Sequence, residues 1–108
     1  MSTLLNINES SFESEVNQST LPVLVEFGAE WCGPCVRLLP ILEKFATANV
    51  TLKVVKVDID DSPELSSKFK IRSVPTLMLF KDGKEIDSKV GMIPESQLKS
   101  WINEKLGL

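Results

Sequence analysis

The sequence has 108 residues, 43% of them hydrophobic and 25% charged, which are the size and composition of a globular chain with its own core. Twelve basic and fifteen acidic residues give a net charge of −3, which argues against nucleic acid as the main partner, because neutralising phosphates needs a basic surface. The absence of histidine excludes most hydrolase triads and every histidine-containing zinc site.

The N-terminal half alternates short apolar strands with helical patterns. Leu4–Ile7 is predicted as a strand, and Ser10–Glu13 has the spacing of a capping box that opens a short helix. Val23–Phe27 is a nearly continuous apolar run, typical of a central strand covered on both faces. After Gly33-Pro34, apolar residues recur every three or four positions and predict a longer helix, with its inner face formed by Leu38, Leu42, Phe45 and Ala46.

The C-terminal half continues this alternation and adds a hairpin. Leu52–Val57 and Thr76–Phe80 read as buried strands, and Ser62–Glu64 has an N-cap followed by proline at the first helical position. Asp82-Gly83 is a hairpin signal that leads into an alternating strand ending at Val90. A final helix from Pro94 has an apolar stripe formed by Leu98, Trp101, Ile102 and Leu106.

The order of elements is therefore β-α-β-α-β-α-β-β-α, which indicates the α/β class. Strands separated by helices predict parallel crossovers, and the hairpin adds one antiparallel pair. We expect a mixed five-stranded sheet with helices on both faces. No repeat, low-complexity tract or linker divides the chain, so residues 1–108 are predicted to form a single domain.

The sequence also bears on location. The first twenty residues contain three glutamates, no lysine or arginine, and no apolar run long enough for the core of a signal peptide. The longest apolar runs are far shorter than the roughly 20 residues that cross a bilayer. We expect a cytoplasmic chain with no membrane partner, and a monomer.

The two cysteines of the chain, Cys32 and Cys35, carry its clearest chemical signal. They directly follow a buried strand at the start of a helix, where residues three apart have Cα atoms about 5 Å apart, close enough for a disulfide. A four-residue ring would add only about 2 kcal/mol as a structural staple. A zinc site would need four ligands where this chain offers two thiols and no histidine, although a site shared between two chains could supply four thiols. A cytosolic C-x-x-C beside a β-α-β pattern is typical of a redox centre.

Position assigns different roles to the two thiols. Cys32 lies at the helix N-terminus, where unpaired backbone N–H groups and the helix dipole favour the thiolate, so it is predicted to be the attacking nucleophile. Cys35 lies one turn inside and is predicted to resolve the mixed disulfide. Gly33 and Pro34 suit the first turn, where proline leaves no useful hydrogen bond unmade.

Glu26 is a carboxylate within the apolar run Val23–Phe27, where an isolated buried charge is costly. A raised pKa or a partner would offset that cost, and Lys56 in the next apolar run is a candidate partner if the two strands are neighbours. Alternatively, both side chains reach solvent at an end of the sheet. The sequence alone leaves these two interpretations open.

Several motifs together resemble the thioredoxin family from end to end. They are Phe27–Cys35 with its W-C-G-P-C core, Pro40, Val57-Asp58, Ser73–Thr76, Lys81–Gly83 and Val90-Gly91. The Gly33-Pro34 pair between the cysteines distinguishes this core from those of glutaredoxins and DsbA-like oxidants, and implies a reductant. Within the enzyme class, the alternative is an oxidase or isomerase. Outside it, the alternative is a binding module that holds a partner whatever its redox state.

The resemblance implies a protein-disulfide reductase with no bound cofactor, recharged by thioredoxin reductase with electrons from NADPH, or from ferredoxin in some organisms. It implies a cis bond before Pro75, although base rates for an X–Pro bond alone predict trans. The Val74 backbone would accept an extended substrate segment. The implied docking surface for disulfide-containing proteins is formed by Trp31, Gly33, Pro34, Val74, Gly91 and Met92. From its position alone, Trp31 is either a core residue or an exposed contact.

Three positions depart from the family pattern. Glu26 stands where the family usually has aspartate, so its proposed proton exchange with Cys35 would take place with altered geometry. Gly28 stands where a large residue is often found, which removes a packing partner beside the cysteines. Val36 replaces a common lysine or arginine, and Arg37 follows it.

Overall fold

The computed structural model describes residues 4–107, and its architecture confirms the predicted α/β class. The five strands are β1 (Leu5–Ile7), β2 (Val23–Gly28), β3 (Lys53–Asp58), β4 (Thr76–Lys81) and β5 (Lys84–Val90). The three α-helices are α1 (Gly33–Ala48), α2 (Pro63–Lys68) and α3 (Glu95–Leu106), and a wide π-type helical turn spans Glu13–Asn17. The predicted order of elements is confirmed over these residues, with the first helix reduced to that single wide turn.

The strands form one mixed sheet in the order β1-β3-β2-β4-β5. β1 and β2 run parallel to β3, whereas β4 runs antiparallel to both β2 and β5. The predicted parallel crossover from β3 to β4 is therefore wrong. Helix α2 has six residues and rises only about 9 Å, less than half the roughly 20 Å of a six-residue strand. The chain does not return to the far end of the sheet, so β4 starts beside the end of β2, level with the end of β3, and runs back.

Helices cover both faces of the sheet, as predicted. Alternate residues of the central strands point to opposite faces, and two apolar clusters result. On the first face α1 and α3 supply Leu38, Leu42, Phe45, Leu98, Trp101 and Ile102, which pack with Leu24, Val54, Leu77 and Leu79. On the second face the wide turn and α2 contribute Val16 and Leu65, which pack with Val25, Phe27, Val55 and Phe80. Burying each large side chain stabilises the fold by about 1.5–3 kcal/mol.

The predicted capping box at Ser10–Glu13 is wrong. The Asn8 side chain accepts instead, through Oδ1, from the backbone N–H groups of Ser10 and Ser11, at 3.0 and 3.2 Å. The Asn8 carbonyl accepts from the Phe12 N–H at 2.9 Å. Asn8 directly follows β1 and reaches these donors through a short local turn, so helical geometry begins before the position that the motif assigns to the cap.

Helix α2 is capped from a distance. Glu9 accepts through Oε2 from the backbone N–H groups of Glu64 and Leu65, at 2.6 and 3.3 Å. Pro63 stands at the start of the helix as predicted, but the Ser62 side chain makes no capping hydrogen bond. Ser62 is fully buried, and within residues 4–107 its hydroxyl has no hydrogen-bond partner.

The far edge of the sheet is tied to α3. Trp101 is buried, as predicted, and its Nε1 donates to Asp87 Oδ2 on β5 at 2.6 Å. That hydrogen bond holds the pKa of Asp87 below its ordinary value, with help from the nearby Lys105 ammonium. The rest of β5 is exposed on both faces, as suits an edge strand.

No helix within residues 4–107 has both the length and the apolar character needed to cross a bilayer.

Candidate redox site at the start of helix α1

The two cysteines lie where β2 turns into α1. Cys32 is the N-cap residue, with an extended backbone, and Gly33 and Pro34 begin the helix. A disulfide joins Cys32 to Cys35, with the two Cα atoms 5.3 Å apart. The predicted spacing is therefore confirmed, because one turn of helix places the two thiols together without displacing the backbone.

The surroundings of the two sulfurs differ. Cys35 donates its backbone N–H to Cys32 Sγ at 3.2 Å, and the first turn of α1 places its helix dipole behind the same atom. A negative charge on the Cys32 sulfur is thus stabilised once the disulfide is reduced. Cys32 is 6% exposed and Cys35 2%, so the inner cysteine is the better shielded of the two.

Glu26 lies on β2, on the face that carries α1. It is 3% exposed, and within residues 4–107 its Oε2 has no hydrogen-bond partner. Burial raises the pKa of Glu26 to about 7, against the opposing effect of the Lys56 ammonium. Glu26 and Lys56 are register partners on the parallel strands β2 and β3, although they form no ion pair within the described residues. For Glu26 the solvent-exposed interpretation is wrong, whereas Lys56 is half-buried.

Gly28 lies between the Glu26 carboxyl group and Cys35. Its carbonyl accepts from the Ile59 N–H at 2.9 Å, which fixes the end of β2. A Cβ at this position would lie 2.7 Å from Glu26 Oε1 and 3.3 Å from Cys35 Sγ. Since both atoms are so close to one point, the Glu26 carboxyl oxygen and the Cys35 sulfur are at most about 6 Å apart, although no hydrogen bond joins them within the described residues.

A cleft of about 160 Å³ reaches this carboxyl group from the surface. Its floor includes Glu26, Gly28 and Cys35, and its rim includes the exposed Glu30 and Asp61. The titratable groups along the cleft are Glu26, Glu30, Cys35, Lys56, Asp58 and Asp61. Water and protons thus have a short path between solvent and the buried acid.

Within residues 4–107 no three acidic or thiol side chains are grouped so as to hold a metal ion.

The loop before β4 lies against the disulfide. The Val74–Pro75 bond is cis. This confirms the expectation drawn from the family resemblance, whereas the trans bond expected from the frequency of X–Pro bonds in general is wrong. Val74 packs against the small cluster that contains both cysteines. Within residues 4–107 the Val74 backbone takes part in no hydrogen bond. The Pro75 carbonyl accepts from the Gly91 N–H at 2.8 Å, which holds the Gly91-Met92 segment beside this loop.

The remaining docking residues are on the surface. Trp31 is 67% exposed, which identifies it as a surface residue, and its Nε1 donates to Asp60 Oδ2 at 2.8 Å. Met92 and Val36 are also exposed, and Gly33 is exposed beside the half-buried Pro34. The space next to Gly33 is occupied by Arg37, whose Nη1 would lie 3.1 Å from a Cβ at that glycine. A cation thus stands close to the first turn of α1 although position 36 is valine.

Sequence reasoning missed Asp60 and the contact made by Gly28. A signal for Asp60 was present, because Trp31 follows β2 and Asp60 follows its parallel neighbour β3, which places both at the same edge of the sheet. The contact at Gly28 had no comparable signal, since it depends on the rotamer of Glu26.

Comparison with known proteins agrees with this geometry. The family model described as Thioredoxin matches residues 3–104. A thioredoxin of Rickettsia bellii is 49% identical over 102 residues, which cover 94% of this chain and 97% of the relative. Thioredoxin 1 of Synechococcus elongatus is 41% identical and a thioredoxin of Haemophilus influenzae 40%, each over 107 residues, 98% of this chain and all of the relative.

Proposed function

This chain belongs to the thioredoxin family and is a dithiol–disulfide oxidoreductase with a redox-active cysteine pair, and we propose that Cys32 is its nucleophile and Cys35 its resolving thiol. The observation that carries this assignment is the position of Cys32 as N-cap of α1, with the Cys35 N–H directed at its sulfur. The reaction is the reduction of disulfides in protein substrates.

The first step transfers the substrate to the enzyme. The Cys32 thiolate attacks one sulfur of the substrate disulfide, an enzyme–substrate disulfide forms, and the other substrate sulfur leaves as a thiolate. The N–H groups of the first turn of α1 stabilise the attacking charge before the reaction. Because Cys32 is the more exposed of the two cysteines, it is the one a protein substrate reaches.

The second step releases the product. The Cys35 thiol loses its proton and its sulfur attacks Cys32 Sγ, so the internal disulfide re-forms and the second substrate sulfur leaves as a thiolate. The substrate is thereby reduced by two electrons, and its thiolates take protons from solvent. Glu26 accepts the Cys35 proton, since both residues line the same cleft and burial raises the pKa of Glu26 to about 7, near ambient pH. Lys56 opposes the effect of burial and thereby keeps that acid available in both protonation states.

Substrate binding uses the surface around the disulfide. Val74 offers backbone N–H and C=O groups for an added strand of substrate. Gly91 and the cis peptide loop are held together by their hydrogen bond, and Met92 supplies apolar contact area. Trp31, fixed by Asp60, and the Gly33-Pro34 pair complete this docking surface.

Recharging requires a second protein. Electrons come from NADPH through thioredoxin reductase, which reduces the Cys32–Cys35 disulfide on the same surface. One chain is sufficient for the catalytic residues, because both cysteines and Glu26 come from it. A pair that must be reduced again after each turnover suits the cytoplasm, where thiols are kept reduced.

The test uses single-cysteine variants in a disulfide-reduction assay with NADPH, thioredoxin reductase and a disulfide-bonded protein as substrate. Cys35→Ser is expected to accumulate a covalent enzyme–substrate disulfide, because the second step has no thiol. Cys32→Ser is the matched control and is expected to trap nothing. Trapping by Cys32→Ser instead would reverse the two roles, and a double variant that kept full biological activity would favour a redox-independent binding module.

A further inference from the structure

The space that a side chain at position 28 would occupy is already taken by the side chains of Glu26 and Cys35. A Cβ there would lie 2.7 Å from Glu26 Oε1, closer than a real Cβ contact allows, and 3.1 Å from Cys35 Cβ. The glycines that need positive φ in this chain are, within residues 4–107, Gly83, Gly91 and Gly107. Gly28 is not one of them, so its backbone is open to any residue. Its missing side chain is what matters.

The groups around Gly28 differ in their freedom to move. The Gly28 backbone is held by its pairing with β3 and by the Ile59 N–H, and Cys35 is held by α1 and by the disulfide. The Glu26 carboxyl is the end of a flexible side chain, and its Oε2 has no hydrogen bond to hold it within the described residues. When this space is filled, the carboxyl group moves. The cleft of about 160 Å³ alongside is the room it moves into.

We propose that Gly28 is a positioning residue, whose missing side chain leaves the Glu26 carboxyl group its place on the floor of the cleft that it shares with Cys35. Any side chain at position 28 displaces that group into the cleft. The inference deepens the proposed function and rests on proton exchange between Glu26 and Cys35. Gly28 itself touches no substrate and acts through Glu26.

Displacement also changes the electrostatics of the carboxyl group. The groups that face it are Lys56 and Asp58 from β3, Cys35 from α1, and Glu30 and Asp61 at the mouth of the cleft. Burial is the main cause of its raised pKa, and a carboxyl group displaced into the cleft gains water. Hydration lowers the pKa, so a substitution at Gly28 is expected to move the pKa of Glu26 towards its ordinary value of 4.5.

The experiment compares Gly28→Ala, Glu26→Asp and the double variant with the unchanged protein. The rate at which Cys35 resolves a preformed mixed disulfide is measured from pH 5 to 9, and the Glu26 carboxyl carbon is titrated by NMR. Gly28→Ala is expected to slow resolution at pH 7 by about ten- to a hundred-fold, the usual cost of misplacing a reacting group by an ångström. The midpoint of the NMR titration is expected to fall with it.

The Glu26→Asp background is the matched control. Its carboxyl group is one methylene shorter, which relieves the contact with a Cβ at position 28 and leaves the contact with Cys35 Cβ, so adding Gly28→Ala there is expected to cost clearly less rate than in the unchanged background. An equal loss in both backgrounds, or an unchanged Glu26 titration in Gly28→Ala, would overturn the positioning role. So would a Gly28→Ala chain that folds neither alone nor with Glu26→Asp, since Gly28 would then serve packing.

Glu26→Gln separates this inference from the function on which it rests. If Glu26→Gln resolves the mixed disulfide as fast as the unchanged protein at every pH, proton exchange fails. The NMR titration of Gly28→Ala still decides the positioning role in that case, because it reports the carboxyl group directly. A titration midpoint that moves supports positioning, and one that stays overturns it.

Discussion

The buried carboxyl group of Glu26 makes the stability of the oxidised protein depend on pH, and Glu26→Gln removes that dependence. The pKa of Glu26 is about 7 in the folded chain, against an ordinary value of 4.5 when unfolded. Below pH 4.5 both states hold the proton. Between the two values only the folded state holds it, so the free energy of unfolding falls as the pH rises.

The size of this effect follows from the two pKa values. Each pKa unit of difference corresponds to about 1.4 kcal/mol, so ionising Glu26 in the fold costs about 3 kcal/mol in all, and the loss is complete above pH 7. Few other groups interfere, because the chain has no histidine and the cysteines of the oxidised protein do not titrate. The stability of Glu26→Gln is therefore expected to be nearly constant from pH 5 to 8.

The assay is urea denaturation of both oxidised proteins at pH 5, 6, 7 and 8. Relative to the unchanged protein, Glu26→Gln is expected to gain about 2.5 kcal/mol between pH 5 and pH 8, because part of the loss has already taken place at pH 5. Glu15→Gln, at a half-exposed carboxylate paired with Lys53, is the control for a surface charge and is expected to follow the unchanged protein. A constant difference between Glu26→Gln and the unchanged protein across this range would contradict a raised pKa of Glu26 in the folded chain.

Two further predictions concern hydrogen bonds away from the cysteines. Ser62→Ala is expected to leave the free energy of unfolding unchanged or raise it by up to about 1 kcal/mol, because the buried hydroxyl has no partner within the described residues. A loss above that size in urea denaturation would show that the hydroxyl is satisfied. Asp87→Asn is expected to destabilise the fold by about 1 kcal/mol at pH 7, since Trp101 then donates to a neutral acceptor. Because the pKa of Asp87 is lowered in the fold, that deficit is expected to shrink as the pH falls below 3.8, and a deficit that persists at low pH would contradict its electrostatic origin.

Local patterns predicted most elements of this fold and the centre of its site. Hydrophobic periodicity located the central strands and α1, because the faces they bury repeat every two or about 3.6 residues. The cysteine spacing predicted the disulfide geometry, since one helical turn sets the distance. Placing Glu26 beside Lys56 needed only the adjacency of two strands, which the structure supplies, although the two side chains form no ion pair within the described residues.

Features that depend on distant contacts were not predictable in this way. The direction of β4 depends on how the chain crosses the end of the sheet, and the strand pattern of Thr76–Phe80 is the same in either direction. Glu26 and Gly28 were each recognised as departures from the family pattern, but nothing in the sequence showed that the two meet. In the structure the added length of one fills the space left by the other.

The carboxylate of Glu9 connects the segment after β1 to the redox site through helix α2. It caps α2 across 55 positions of sequence, and this six-residue helix has no side-chain cap of its own. The turn just before α2 contains Asp60, which anchors the Trp31 indole. A local opening that released Glu9 would leave two N–H groups of α2 without an acceptor and make the preceding turn more mobile. Trp31, which is bonded to that turn through Asp60, would become more mobile with it. The mobility of Trp31 in the docking surface therefore depends on the contact that Glu9 makes with α2, although Glu9 is distant from both cysteines in the sequence.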